Sequence, residues 1–292
     1  MSLGRREFLA LSASPMGLAQ EEKFSIQRME GGLLYAEGPV WAKEGFLLFS
    51  DVARDEIRKI TPGSGKRSEV FRPSANGPAG NAYDSQGRLY TCETRTRRVV
   101  RQDRKGNLEV LAERFDGKRF NAPNDIVVRK DGHVYFTDPA FGKQADVCEL
   151  EFHGVFHLPP KGSLEVIAKP KGRPNGVALS ADGKTLWVTN SDERNVRAYD
   201  LDKEGRATNE RVVISGIDGP PKGLRLDESG SLYMTCNGLA VYSPTFQRVT
   251  QFEFSEPPSN CVFGDPDLRT LYITARTSLY RIRLEAKGAV QH

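Results

Sequence analysis

One short pattern is written six times along this chain, and that repetition constrains the fold more than any other feature. Its clearest copy is Arg173-Pro174-Asn175-Gly176-Val177-Ala178-Leu179, then Asp182-Gly183, then Leu186-Trp187-Val188-Thr189-Asn190. Val177 and Leu179, and again Leu186 and Val188, give the period of two expected of strands. Asp182-Gly183 suits a tight connection, because glycine tolerates the positive φ such turns demand. Equivalent copies open at Glu37-Gly38-Pro39, Gly80-Asn81-Ala82, Pro123-Asn124-Asp125, Pro221-Lys222-Gly223 and Ser259-Asn260-Cys261. Their period of about 40 to 50 residues is that of propeller blades. One small sheet cannot bury both of its faces, so such units stack radially around a channel. Two packed β-sandwiches would not produce six matching repeats. The expected fold is therefore all-β, a six-bladed β-propeller. The sixth copy runs out of chain before a fourth strand, and Phe24-Ser25-Ile26-Gln27-Arg28-Met29 is strand-like and unassigned. This predicts that the N-terminal strand joins the last blade and closes the ring.

With 28 Gly and 17 Pro in 292 residues the chain is dense in turns, and residues 21–292 read as one domain. Residues 1–20 stand apart. Arg5-Arg6 precedes an apolar run ending in Gly17-Leu18-Ala19, which resembles a twin-arginine export signal. Export predicts a periplasmic protein; a simple disordered tail would leave it cytoplasmic. The run is too short to span a bilayer, so no membrane insertion is expected. The 42 basic and 38 acidic residues nearly balance. The one basic cluster, Arg95 to Lys105, reads as a solvated strand edge, so no nucleic-acid partner is expected. Cys92, Cys148, Cys236 and Cys261 lack CxxC spacing and read as buried free thiols. His153 and His157 flank a probable strand rather than a helical face, which disfavours zinc. No Ser-His-Asp arrangement or nucleophile elbow stands out. No apolar stripe marks an interface, so a monomer or weak oligomer is expected.

In a propeller the residue before each innermost strand lies at one mouth of the channel. That position reads Glu37, Asn81 (or Gly80), Asn124, Asn175, Lys222 and Asn260. A single Asn before a strand is an ordinary turn residue. A series at one phase of consecutive repeats points instead to a site. One carboxylate and several amides supply the hard oxygens that calcium, magnesium or manganese takes.

These residues carry a family resemblance. From about residue 33 to 284 the chain resembles the senescence marker protein/gluconolactonase/luciferin-regenerating family, and within it the bacterial gluconolactonase-like branch. The most specific stretches are Glu37-Gly38-Pro39-Val40-Trp41, Gly80-Asn81-Ala82-Tyr83-Asp84, Asn121-Ala122-Pro123-Asn124-Asp125-Ile126, Phe136-Thr137-Asp138-Pro139, Pro174-Asn175-Gly176-Val177 and Ser259-Asn260-Cys261. The resemblance implies a hydrolase that opens a sugar-derived lactone at the channel mouth, with a small lactone or sugar acid as its partner. It implies one divalent cation, calcium first, with magnesium, manganese or zinc as alternatives. By position Glu37 and Asn175 are metal ligands, and Asn124 contacts metal or substrate. Asn81, Asn121, Asn124 and Asn260 are candidate substrate contacts. Residues 116–121 and 140–152 form the loops expected to set substrate identity.

The family's fourth metal position is an Asp in a Pro-Asp-Gly motif, and here the motif reads Pro221-Lys222-Gly223. At about 4 Å and an effective dielectric near 20, an ammonium repels each unit of a cation's charge by roughly 4 kcal/mol. Three outcomes are open. Lys222 replaces the metal and pairs with Glu37, leaving no cofactor; it swings away from a weakened metal site; or Asp218 supplies the lost carboxylate. A candidate catalytic pair is Lys222 with Asn124, the ammonium stabilising an oxyanion. The alternative is a catalytically altered propeller that binds a sugar-acid-like ligand without turning it over; an interaction scaffold is a third reading. A second departure, Glu93-Thr94-Arg95, stands where relatives often carry a His after the Glu; it reads either as a lost polar contact near the site or as a surface-loop change.

Overall fold

The structure is a computed structural model that describes residues 24–290; the Arg5-Arg6 stretch lies outside the described residues. Six four-stranded antiparallel sheets hold every described strand except the short pair Arg114–Phe115 and Lys118–Arg119, and the first five run outward in chain order from an innermost strand. The innermost strands are Ala36–Ala42, Pro78–Tyr83, Ile126–Val128, Pro174–Leu179, Leu224–Leu226 and Asn260–Gly264. Each packs against the next, and the last packs against the first, which makes a closed ring. The sixth sheet takes its outer strand from the other end of the chain: Ile26–Gly31 pairs antiparallel with Ser278–Arg283.

The alternation read from sequence has its physical counterpart in burial. Val177, Leu186 and Val188 are buried between adjacent sheets, whereas outer strands such as Leu108–Ala112 show apolar side chains to solvent. The Asp182-Gly183 connection is longer than a two-residue turn. Gly183 donates to the Ser180 carbonyl (2.8 Å) at a φ of +66°, and strand pairing resumes only at Leu186 opposite Leu179, with Thr185 closing on Ser180. The Asp182 carboxylate accepts bonds from Ser180 Oγ and the Lys184 amide and rigidifies this turn.

A series of second-strand hydroxyls ties most of the blades together, while Thr91 and Thr274 bond within their own blades. Ser50, Thr91, Thr137, Thr189, Thr235 and Thr274 lie at one phase of the second strands, and all are fully buried. Ser50 Oγ donates to the Ala79 carbonyl (2.8 Å), Thr137 Oγ1 to Asn175 (2.6 Å), Thr189 Oγ1 to Lys222 (2.7 Å) and Thr235 Oγ1 to Ser259 (2.9 Å). Ser259 Oγ then donates to the Ala36 carbonyl of the first blade (2.6 Å). Each bond ties one blade to the start of the next blade's inner strand, where the candidate site residues stand. Close backbone approach makes this possible. A Cβ on Gly176 would lie 2.3 Å from the Lys222 carbonyl oxygen, and one on Gly223 would lie 2.0 Å from Asn260 Oδ1.

The four cysteines are free; Cys92, Cys236 and Cys261 are buried, whereas Cys148 is only half-buried. The basic run spends its donors within the chain: Arg97 on Glu149, Arg98 on Glu93 and Arg101 on Glu109.

Candidate active site

All six inner strands start at the same end of the channel, and a cavity of about 520 Å³ opens there. Glu37, Asn124, Asn175 and Lys222 line it together, from blades one, three, four and five. Glu37 is nearly buried, and its Oε2 accepts the Gly38 amide at 2.9 Å. Burial pushes its pKa up to about 7, and the neighbouring Asp125 adds to the rise; the Gly38 amide, Lys222 and the Asn260 side chain pull the other way.

Asn175 is held in one orientation. Ser191 Oγ gives its only hydrogen to the Pro221 carbonyl (2.8 Å), so at 3.1 Å it must accept from Asn175 Nδ2. The amide oxygen is thereby turned away from Ser191, and among the described residues no donor reaches it. The Asn124 backbone is fixed by bonds to Thr137 and Gly80, which leaves its side chain at the cavity wall.

Lys222 is half-buried. Its backbone amide donates to Thr235 (2.8 Å), and its ammonium reaches the Pro258 carbonyl at 3.4 Å. Burial lowers its pKa, the charge of Glu37 opposes that, and Arg276 reinforces it. Among the described residues Lys222 closes no contact ion pair with Glu37, so the first of the three open outcomes, direct pairing, is not what this arrangement holds. Asp218 does not supply a carboxylate either: it is exposed, and its Oδ1 accepts from Asn237 at 3.1 Å.

Three expected substrate contacts do not reach this cavity. Asn81 is spent inside the ring: its Nδ2 donates to Gly38 and Ser50, and its Oδ1 accepts from Thr91. Asn260 lies beneath the floor, beside Glu37 and Asp125, with its Oδ1 accepting the Cys261 amide. Asn121 pins its loop to the Asp138 and Phe152 carbonyls. The reason is a shift of phase. The carbonyl that receives the neighbouring blade's hydroxyl belongs to Ala79 in blade two and Ser259 in blade six, as it belongs to Asn175 and Lys222 in blades four and five. Ala79 is accordingly the residue of blade two that lines the cavity.

Arg173 and Lys143 were not given a role from sequence, and Thr94 is buried on the cavity wall rather than in a surface loop. Arg173 grips Asp192 through two nitrogens and stacks over Phe141 at 4.7 Å, so the 140–152 loop is tied to the rim. Lys143 adds a cation there. Thr94, from the second departure, lines the wall with its hydroxyl donating to Gly77 (2.9 Å), while Arg95 pairs with Asp55 (3.0 Å). Below the floor lies a buried carboxylate, Asp125, with Arg225 at 3.8 Å. The visible signal for Arg225 was a charged residue in an otherwise apolar inner strand, Leu224-Arg225-Leu226.

The family model for the SMP-30/gluconolactonase/LRE-like region matches residues 35–277. The chain belongs to this family. A gluconolactonase of Zymomonas mobilis is 33% identical over 90% of this chain and 82% of its own length. A pentonolactonase of Haloferax volcanii is 27% identical over 82% of this chain and 80% of its own. Among solved structures, a gluconolactonase from Xanthomonas campestris superposes with a TM-score of 0.82 over 90% of both chains at 30% identity.

The donors at the mouth suit a hard cation on one condition. Glu37, Asn124 and Asn175 offer a carboxylate and two amide oxygens, and the unpartnered Asn175 Oδ1 is such a donor. Among the described residues no cluster of three or more Asp, Glu, His or Cys side chains reinforces them. A protonated Lys222 on the same cavity opposes a dication, so the set fits when Lys222 is neutral.

Proposed function

We propose that this family member is a lactone hydrolase acting at the mouth built by Glu37, Asn124, Asn175 and Lys222. The observation that carries the reading is one cavity holding a carboxylate with a pKa near 7 and a lysine. Its family membership and its similarity to named lactonases support the substrate class. A half-ionised carboxylate at neutral pH is suited to take a proton from water. Glu37 accepts that proton as the water oxygen bonds to the lactone carbonyl carbon. The carbonyl oxygen becomes an oxyanion, and the Lys222 ammonium offsets its charge. The ring C–O bond then breaks, and the leaving alkoxide takes the proton back from Glu37 to give the open hydroxy acid. Asn124 and Asn175 orient the sugar oxygens, and Ser191 holds Asn175 in place for that task. A divalent cation, when bound by Glu37, Asn124 and Asn175, would supply Lewis-acid polarisation of the carbonyl.

The test follows aldonolactone opening in a pH-stat against the spontaneous rate, together with aldonic acid binding by calorimetry. Turnover well above background supports a hydrolase. Aldonic acid binding with background rates would instead make the protein a binder with an altered site.

A further inference from the structure

The inner strands share a direction, so their far ends meet at the opposite end of the channel. There Val40, Ala82, Val128, Val262 and Phe263 wall a second cavity of about 280 Å³. The C-terminal segment closes it. Gly288 donates to the Leu268 carbonyl (2.8 Å) and Ala289 to Leu226 (3.0 Å), which sets Ala289 and Val290 against the opening.

One cation reaches into this apolar space. Arg225 lines it and is only 4% exposed. Its Nη1 donates to the Leu224 carbonyl (2.6 Å) and, at 3.4 Å, to Val177. Its Nε has no acceptor among the described residues. Asp125 is a loose partner at 3.8 Å, because its carboxylate is engaged by the Val177 amide (3.1 Å) and the Ile126 amide (3.0 Å). The other charged groups on the cavity are peripheral. Asp265 is satisfied by the Tyr272 hydroxyl (2.6 Å) and by Thr270, and Lys43 is exposed at the rim.

We propose that this end of the channel is a second ligand site, for a small monocarboxylate with an apolar tail. Nε is enclosed and Nη1 is engaged, but Nη2 makes no hydrogen bond among the described residues and is not enclosed, and a guanidinium N–H so placed is matched by a carboxylate. The walls offer the tail apolar contact and offer water few partners. A cavity of about 150 Å³ holds benzene, so the larger space here takes a ligand of roughly ten non-hydrogen atoms. Octanoate has that size and charge.

The test is calorimetric titration of the full-length protein at pH 7.5 with octanoate, octan-1-ol and octylamine. The expected result is saturable 1:1 octanoate binding, at least tenfold weaker octanol binding and no octylamine binding. Val262→Trp narrows the space and is expected to abolish binding, with a cooperative unfolding transition showing that the fold is kept. Arg225→Met is expected to remove the preference for octanoate over octanol. No saturation at millimolar octanoate would overturn the proposal, as would equal affinity in Val262→Trp or displacement by an aldonic acid at the opposite mouth. Because the readout is binding at the far end, its failure leaves the hydrolase reading untouched.

Discussion

The Thr189 hydroxyl of blade four donates to the Lys222 carbonyl of blade five at 2.7 Å while accepting the Gly176 amide at 2.7 Å. One buried oxygen therefore fixes the backbone of the most unusual residue at the mouth and couples it to the strand that carries Asn175. Thr189→Val keeps the shape and removes both bonds, leaving a buried amide and carbonyl unpaired. It is expected to cost about 1–3 kcal/mol in urea unfolding. Thr189→Ser keeps the oxygen and is expected to retain most of that stability.

Glu37 makes stability fall as pH rises. Its folded pKa of about 7 lies above its ordinary value of 4.5, because burial disfavours the charge. The folded state therefore holds the proton more tightly than the unfolded chain does. The favourable contribution is complete below about pH 4.5 and is lost as pH climbs through 7. Glu37→Gln is expected to match wild type near pH 4 and to be the more stable protein at pH 8, read from Tm at both values.

Lys222 is placed to serve the oxyanion and to oppose a dication. Lys222→Met is expected to lower kcat on the order of a hundredfold or more, as loss of a fixed oxyanion partner does. The same change is expected to raise calcium affinity in calorimetry, and Lys222→Asp to raise it further. In wild type, calcium affinity is expected to rise with pH as Lys222 loses its proton. Equal calcium affinity in all three proteins would remove Lys222 from the site.

Ser191 orients Asn175 and also holds the Pro221 carbonyl beside Lys222. Ser191→Ala leaves the amide free to turn and is expected to raise KM roughly three- to tenfold, the worth of about one hydrogen bond. The pH dependence set by Glu37 is expected to stay near wild type, since Ser191 makes no bond to Glu37.

Much of this was legible because the strand pattern repeats. The phase of Glu37, Asn124, Asn175 and Lys222 ahead of their strands places all four at one mouth. The same reading places Asn81 and Asn260 there and is out of phase for both. Inner strand two shifts register between Pro78 and Asn81, whereas inner strand six runs in unbroken register from Asn260 and it is Ser259, one residue earlier, that holds the equivalent position. A bulge adds a residue that alternation alone does not reveal. The hydroxyl series would have corrected this, since Ser50, Thr91, Thr137, Thr189, Thr235 and Thr274 recur visibly in the second strands. Arg225 was hidden for another reason. A single charge in a short apolar strand says nothing of whether it faces a channel or solvent.

The central claim is that Glu37 takes the proton at a mouth it shares with Lys222. The deciding measurement is the pH dependence of kcat/KM for aldonolactone opening, in wild type and Glu37→Gln with the spontaneous rate subtracted. Wild-type kcat/KM is expected to rise through about pH 7, and Glu37→Gln to be at least a hundredfold slower, with no such rise. A Glu37→Gln protein that turns over at the wild-type rate, with the same inflection, would contradict it.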